Sequence, residues 1–194
     1  MKTKLLTIVI ATFFFSAANA QFHLGIKGGA NINKLTGKSF KDEFSFGYHL
    51  GGFMEIGLGQ KFSVQPEVVF NQFRQDTTSQ FNAIYKNVFS SDQSKVKLNY
   101  LSIPILLNYK ASNFVSLQLG PQFGILMDQN KNLVDNGKEA FKNDFSMLGG
   151  VQLKFSSFRI YGRYALGLNN INDIDNKDKW KSQSFQLGVG LAIL

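Results

Sequence analysis

Cysteine is absent from the 194 residues. That removes disulfide scaffolds, Cys-ligated zinc and a lipid-anchored lipoprotein, which needs a Cys after its cleavage site. Proline occurs three times and tryptophan once. Acidic residues are few, with 13 Asp and Glu against 21 Lys and Arg, a formal net charge of +8. No apolar run is long enough for a membrane helix, which needs about twenty residues. The longest, Leu5–Phe15, follows Lys2 and Lys4 and leads into Ala18-Asn19-Ala20. A basic start, a short apolar stretch and a small-x-small ending predict a cleaved signal peptide over 1–20, with cleavage before Gln21.

What is abundant is alternation. In Phe44–Gly59 the even positions Phe44, Phe46, Tyr48, Leu50, Met54, Ile56 and Leu58 are apolar, and most odd positions are small or polar. A period of two is a strand and not a helix. The stretch is longer than a soluble strand of about five or six residues, and about ten residues of a tilted strand cross a bilayer. The pattern recurs in Phe22–Asn33, Lys61–Arg74, Lys95–Tyr109, Phe114–Met127, Asp144–Phe155, Phe158–Asn169 and Gln183–Leu194. Two segments are irregular. Pro66 withholds a ladder donor and predicts a bulge or kink. In Lys95–Tyr109, Val96, Leu98 and Tyr100 share one parity while Leu101, Ile103, Ile105 and Leu107 share the other, so a bulge is expected near Asn99 or Tyr100. Pro104 adds a further irregularity there.

Eight strands are joined by connectors that alternate long and short. The short ones are Gly59-Gln60, Lys110–Asn113 and Ser156-Ser157; the long ones are 34–43, 75–94, 128–143 and 170–180. An even strand number with short periplasmic turns and longer outer loops is the layout of outer-membrane barrels. Residues 21–194 are therefore expected to form one all-β domain, an eight-stranded antiparallel up-and-down transmembrane β-barrel. Mean hydropathy of −0.08 does not oppose this, because alternation hides the apolar half. The long connectors are near neutral in charge, and the basic surplus sits in strands and short turns. That layout does not suit nucleic acid.

The apolar parity is expected to face lipid, with aromatics near strand ends (Phe22, Phe44, Phe62, Tyr109, Phe114, Phe145, Phe155 and Phe158) forming girdles. The other parity would line a narrow lumen. It carries Lys27, Lys61, Lys154, Arg159 and Arg163 against Glu55, Glu67 and Asp144. Buried charges must be paired or hydrated. Lys27, Glu55, Glu67, Asp144, Lys154, Arg159 and Arg163 are accordingly expected to form a structural luminal network; the basic surplus also suits a narrow anion-preferring conduit. His23 and His49 share the luminal parity, but no nucleophile motif accompanies them and the acids lack metal-ligand spacing. No enzyme activity and no cofactor are inferred. Asn172–Asp178 has an acidic rhythm without the Gly and Glu of a calcium loop. The Gly pairs Gly28-Gly29, Gly51-Gly52 and Gly149-Gly150 fall inside strands, where close approach or bending explains them.

Several stretches also resemble the PorT-like outer-membrane β-barrel proteins of Bacteroidota-type bacteria. They are GIKGGANIN (25–33), the second strand ending G-x-x-x-x-G-L-G at Gly59, FSVQPEVVF (62–70) and LNYLSIPILLNYK (98–110). GPQFGILM (120–127), GRYALGLNNI (162–171) and FQLGVGL (185–191) complete the set. The resemblance implies an eight-stranded outer-membrane barrel and carries over no functional residue. The chain departs from usual barrel-assembly signals in ending on Leu194, whose parity is that of Gly188 and Gly190. This predicts a shifted final strand or a weak signal.

The expected function is an integral outer-membrane protein with a structural or surface-interaction role. A narrow channel or secretion accessory, and a soluble lipocalin-like barrel with apolar residues inside, are the alternatives. Expected partners are outer-membrane lipid and the barrel-assembly machinery, with the barrel monomeric.

Overall fold

The computed structural model describes residues 22–36, 45–76, 95–129, 143–169 and 181–194. The predicted signal peptide, Phe44, the possible short element at 81–89 and the acidic stretch 172–178 lie outside the described residues.

Eight antiparallel strands close into a barrel: β1 (Phe22–Thr36), β2 (Ser45–Gly57), β3 (Phe62–Asp76), β4 (Lys95–Lys110), β5 (Val115–Gln129), β6 (Asp144–Phe155), β7 (Phe158–Gly167) and β8 (Lys181–Ala192). Each strand pairs with its sequence neighbour, and β1 closes on β8 from Gly25↔Ala192 to Thr36↔Lys181. At 10 to 16 residues, every strand meets the length that a bilayer crossing requires. β1 runs past Asn33, because residues 33–36 still find partners in Ser184 to Lys181.

The two parities segregate as their chemistry dictates. Outward side chains include Leu24, Ile26, Leu50, Val68, Ile105, Leu119, Ile125, Ile160, Leu187 and Val189, all exposed. Most inward positions are small or polar: Asn31, Gln65, Asn108, Gln118, Ser146, Gln152, Ser184 and Gln186 are buried. An apolar exterior around a polar interior is opposite to what a soluble lipocalin-like barrel requires, and that alternative is set aside. Phe22, Phe62, Tyr109, Phe114, Phe155 and Phe158 point outward at the end bearing the short turns. Phe62 lies 5.3 Å from Tyr109 and Phe114 6.2 Å from Phe155, ring to ring. Phe46, Tyr48, Phe123, Tyr164 and Phe185 are exposed toward the other end, so aromatics band both rims.

Three local expectations need revision, and the bulge expected near Asn99 or Tyr100 is present but carried by the partner strand. The first turn is not two residues. β2 stops at Gly57 and β3 starts at Phe62, with the Leu58 amide donating to the Phe62 carbonyl at 2.7 Å and Gly59 at φ +90°, a left-handed conformation that favours glycine. Pro66 produces no bulge: pairing of β2 with β3 lapses between Phe53↔Glu67 and Ile56↔Val64 and resumes in the same register. The irregularity at Asn99/Tyr100 belongs to the pairing of β4 with β5, where Asn99 faces Asp128 and Tyr100 faces Leu126. The extra residue is thus Met127 on β5. β4 keeps its alternation, so Leu98 and Tyr100 point inward and are buried; Gly124 opposite leaves room, since a Cβ there would lie 3.3 Å from Tyr100. Finally, β8 does not shift. Gly190 and Ala192 stay inward, and the chain leaves strand geometry after Ala192, leaving Ile193 and Leu194 both exposed. The terminal pair is held by Ile193 N to Leu24 O at 2.7 Å and Leu24 N to Leu194 O at 3.0 Å.

The lipid-facing parity has a direct test. Leu50, 64% exposed at the middle of β2, replaced by arginine (Leu50→Arg) should destabilise the barrel in bilayers by about 2–4 kcal/mol, measured by reversible denaturant unfolding. Lys61→Gln, at an exposed turn, should stay within about 0.5 kcal/mol of the parent.

Candidate functional site

An eight-stranded barrel leaves an interior that side chains nearly fill. Here filling it requires that large polar groups on some strands face glycine on others. Phe53 points inward and is buried over Gly25 and Gly190, where a Cβ would meet its ring. His49 and Tyr161 occupy the space above Gly29 and Gly188 in the same way.

At the centre lies Glu67 on β3, fully enclosed. Arg163 on β7 grips it with two parallel bonds, Nη1 to Oε2 at 3.0 Å and Nη2 to Oε1 at 2.9 Å. Lys27 on β1 donates to Oε2 at 2.7 Å. Gln65 Nε2 adds a fourth donor to Oε1 at 2.7 Å. A bidentate guanidinium–carboxylate pair is among the strongest polar contacts, and the shared carboxylate offsets part of the cost of burying the two basic groups. The cations have further company: the Lys27 ammonium sits 3.9 Å and the Arg163 guanidinium 4.5 Å from the Tyr161 ring centroid, cation–π distances.

Amides extend the cluster across the lumen. Arg163 Nε donates to Gln118 Oε1 on β5 at 2.7 Å, Gln118 Nε2 to Asn108 Oδ1 on β4 at 2.9 Å, and Asn108 Nδ2 to Gln65 Oε1 at 2.9 Å. On the other side Asn31 Nδ2 donates to Asn71 Oδ1 at 3.1 Å, so Asn31 Oδ1 is the acceptor facing His49. His49 Nδ1 then carries the proton and donates to it at 2.5 Å, while Nε2 accepts from the Tyr161 hydroxyl at 2.5 Å. β1, β3, β5 and β7 are joined directly through the lumen rather than only through neighbouring ladders. Leu106, Leu148 and Ala165 form a small buried apolar cluster, so the interior is not uniformly polar.

The remaining predicted charges sit elsewhere. Lys154 pairs with Glu55 near the turn end, and Ser63 Oγ donates to the same Glu55 oxygen at 2.7 Å. Arg159 there donates to the carbonyls of Ser156 at 2.5 Å and Phe158 at 3.1 Å. Asp144, near the opposite end, accepts from Ser182 at 2.8 Å and Ser146 at 3.3 Å and has no ion pair among the described residues. Lys61 is exposed in the first turn. Predicted as one network, the charges thus form a central triad, a turn-end pair, and Arg159 and Asp144 bonded to carbonyls and hydroxyls. Tyr161, Gln118, Asn108, Asn31 and Asn71 complete the centre without having been singled out; their inward parity was the available signal. Both nitrogens of His49 are engaged by Asn31 and Tyr161, which leaves it no nitrogen for proton transfer to a serine.

A closed eight-stranded barrel with a lipid-ready exterior and a charge-paired interior defines a transmembrane barrel of the outer-membrane type. The outer membrane protein beta-barrel domain family model matches residues 16–193. The chain belongs to that family and is an integral β-barrel of the outer membrane. In fold it is similar to Ail, the attachment invasion locus protein of Yersinia pestis, at 14% identity and TM-score 0.55, covering 89% of this chain and 99% of Ail. OprG of Pseudomonas aeruginosa is similar at 12% identity and TM-score 0.54, with 88% and 95% covered. Neisserial surface protein A follows at 12% identity and TM-score 0.53, with 87% and 96% covered. A search of curated protein sequences found no match.

Removing the shared carboxylate leaves two buried cations facing each other. Glu67→Ala should cost about 3–5 kcal/mol in reversible unfolding. Arg163→Lys, which keeps the charge and loses the fork, should cost about 1–3 kcal/mol.

Proposed function

We propose that the barrel is a sealed scaffold that presents its four long connectors at the cell surface for interaction with external partners. One observation carries this reading: the level of Glu67 is occupied by Arg163 and Lys27, both bonded to it, by Gln118, bonded to Arg163, and by the Tyr161 ring against the two cations, where a conduit would need open bore. A conduit through this level would have to break the bidentate pair. Function is then left to the two ends. The similar fold of Ail, an attachment invasion locus protein studied with a heparin analogue, supports a surface-interaction role for a barrel of this size. Within the family, the stretches at 25–33, 62–70, 98–110 and 162–171 favour the PorT-like group. Insertion by the barrel-assembly machinery and a monomeric state in the membrane belong to the same reading, as does cleavage after Ala20 and the absence of catalysis.

Two measurements test it. Because the chain has no cysteine, Lys138→Cys in the third long connector and Lys110→Cys at the end of β4, beside the second short turn, are clean single labels. A membrane-impermeant maleimide should label the first on intact cells and the second only after the envelope is opened; the reverse pattern overturns the orientation. In planar bilayers the purified barrel should give no conductance steps above background. Regular steps would favour the channel instead.

A further inference from the structure

The turn end of the lumen holds a charge arrangement that the central network does not use. A cavity of about 300 Å³ opens there, lined among others by Lys61, Lys110, Lys154, Arg159, His23 and Glu55. Four basic side chains thus face one carboxylate, and that carboxylate is already paired with Lys154. The two turn lysines are brought together by the backbone, since the Lys110 amide donates to the Lys61 carbonyl at 2.7 Å. Both side chains are exposed, and neither ammonium has an ion-pair partner among the described residues. Arg159 is buried, with Nη1 bonded to two turn carbonyls and Nε without any partner. His23 Nδ1 in the same wall is also buried and unpartnered. A buried donor is stabilised by an acceptor, and most of all when it is charged. Glu55 Oε2 is a buried acceptor without a donor, and it disfavours a purely anionic neighbour on its own side while suiting a hydroxyl.

We propose that this mouth is a binding site for a small oxyanion, a phosphate or carboxylate group, held between Arg159 and the lysine pair Lys61 and Lys110. Guanidinium is the side chain best matched to such groups because its donors lie in one plane, and flanking ammonium groups add attraction without demanding geometry. The group arrives either as a free solute from the aqueous side or as the headgroup phosphate of a neighbouring lipid; both present the same oxygens.

The test uses the whole barrel purified in an uncharged maltoside detergent, at ionic strength held constant with chloride. Inorganic phosphate is titrated while the ¹⁵N–¹H resonance of the Arg159 Nε–H, assigned by its loss in Arg159→Lys, is followed beside that of Arg163. A saturable shift at Arg159 with Arg163 unmoved is expected. In a Lys61→Gln/Lys110→Gln double variant, whose heat-modifiable gel migration shows that it still folds, the affinity should fall about tenfold or more, the loss of a charge-assisted bond. Repeating the titration in phosphatidylglycerol bicelles separates the sources. A resonance already shifted and insensitive to added phosphate identifies the headgroup, and an unchanged titration identifies the free anion. A linear, non-saturating drift, or identical curves for the parent and the double variant, overturns the proposal.

Discussion

Hydrocarbon offers no hydrogen bonds, so a chain that crosses it must satisfy each backbone amide and carbonyl by itself. The pairing of β1 with β8 meets that demand, and most other features follow from the closure it imposes. Closing eight strands makes a lumen too narrow for open water and too wide for backbone alone. Glycine on one wall therefore faces bulk on another, as Gly188 faces Tyr161 and Gly25 faces Phe53. The inward groups, cut off from bulk solvent, must satisfy one another. Glu67 is where this is done most completely, with Arg163, Lys27 and Gln65 all donating to its two oxygens.

That arrangement divides the molecule into functional zones. The outer surface is committed to lipid, and the centre of the lumen to holding opposite walls together. On the proposed reading recognition falls to the two ends, one of them a mouth where Lys61, Lys110 and Arg159 gather with little negative charge. The basic surplus noted in the composition is placed accordingly. Among the described residues, part of it neutralises Glu67 and part lines the turn end.

Much of this was legible in residue order alone. Period-two alternation marks strands because successive side chains take opposite faces, and the alternation of long and short connectors marks which ends share a side. Strand number, inward parity of Lys27, Glu67 and Arg163, and outward parity of the apolar set all follow from those two signals. Pairing within the lumen does not. Whether Glu67 meets Arg163 or Arg159 depends on the stagger accumulated around the barrel, and no single strand encodes that stagger. The residues that complete the centre, Tyr161 and Gln118, are ordinary for an inward strand position and stand out only once the opposite wall is known. Tyr100 misled for a related reason: a large inward ring is legible only when the facing Gly124 is seen. Pro66 and Pro104 interrupt pairing without moving register, since the strands on either side hold them in place.

The central claim, that the even parity of β2 faces lipid and the odd parity a sealed lumen, is tested most directly by nitroxide scanning. Single cysteines placed one at a time from Tyr48 to Met54, spin-labelled in lipid bilayers, report collision with molecular oxygen, which concentrates in hydrocarbon. Oxygen accessibility should oscillate with a period of two, high at 48, 50, 52 and 54 and low at 49, 51 and 53. A flat profile, or maxima at the odd positions, would contradict it.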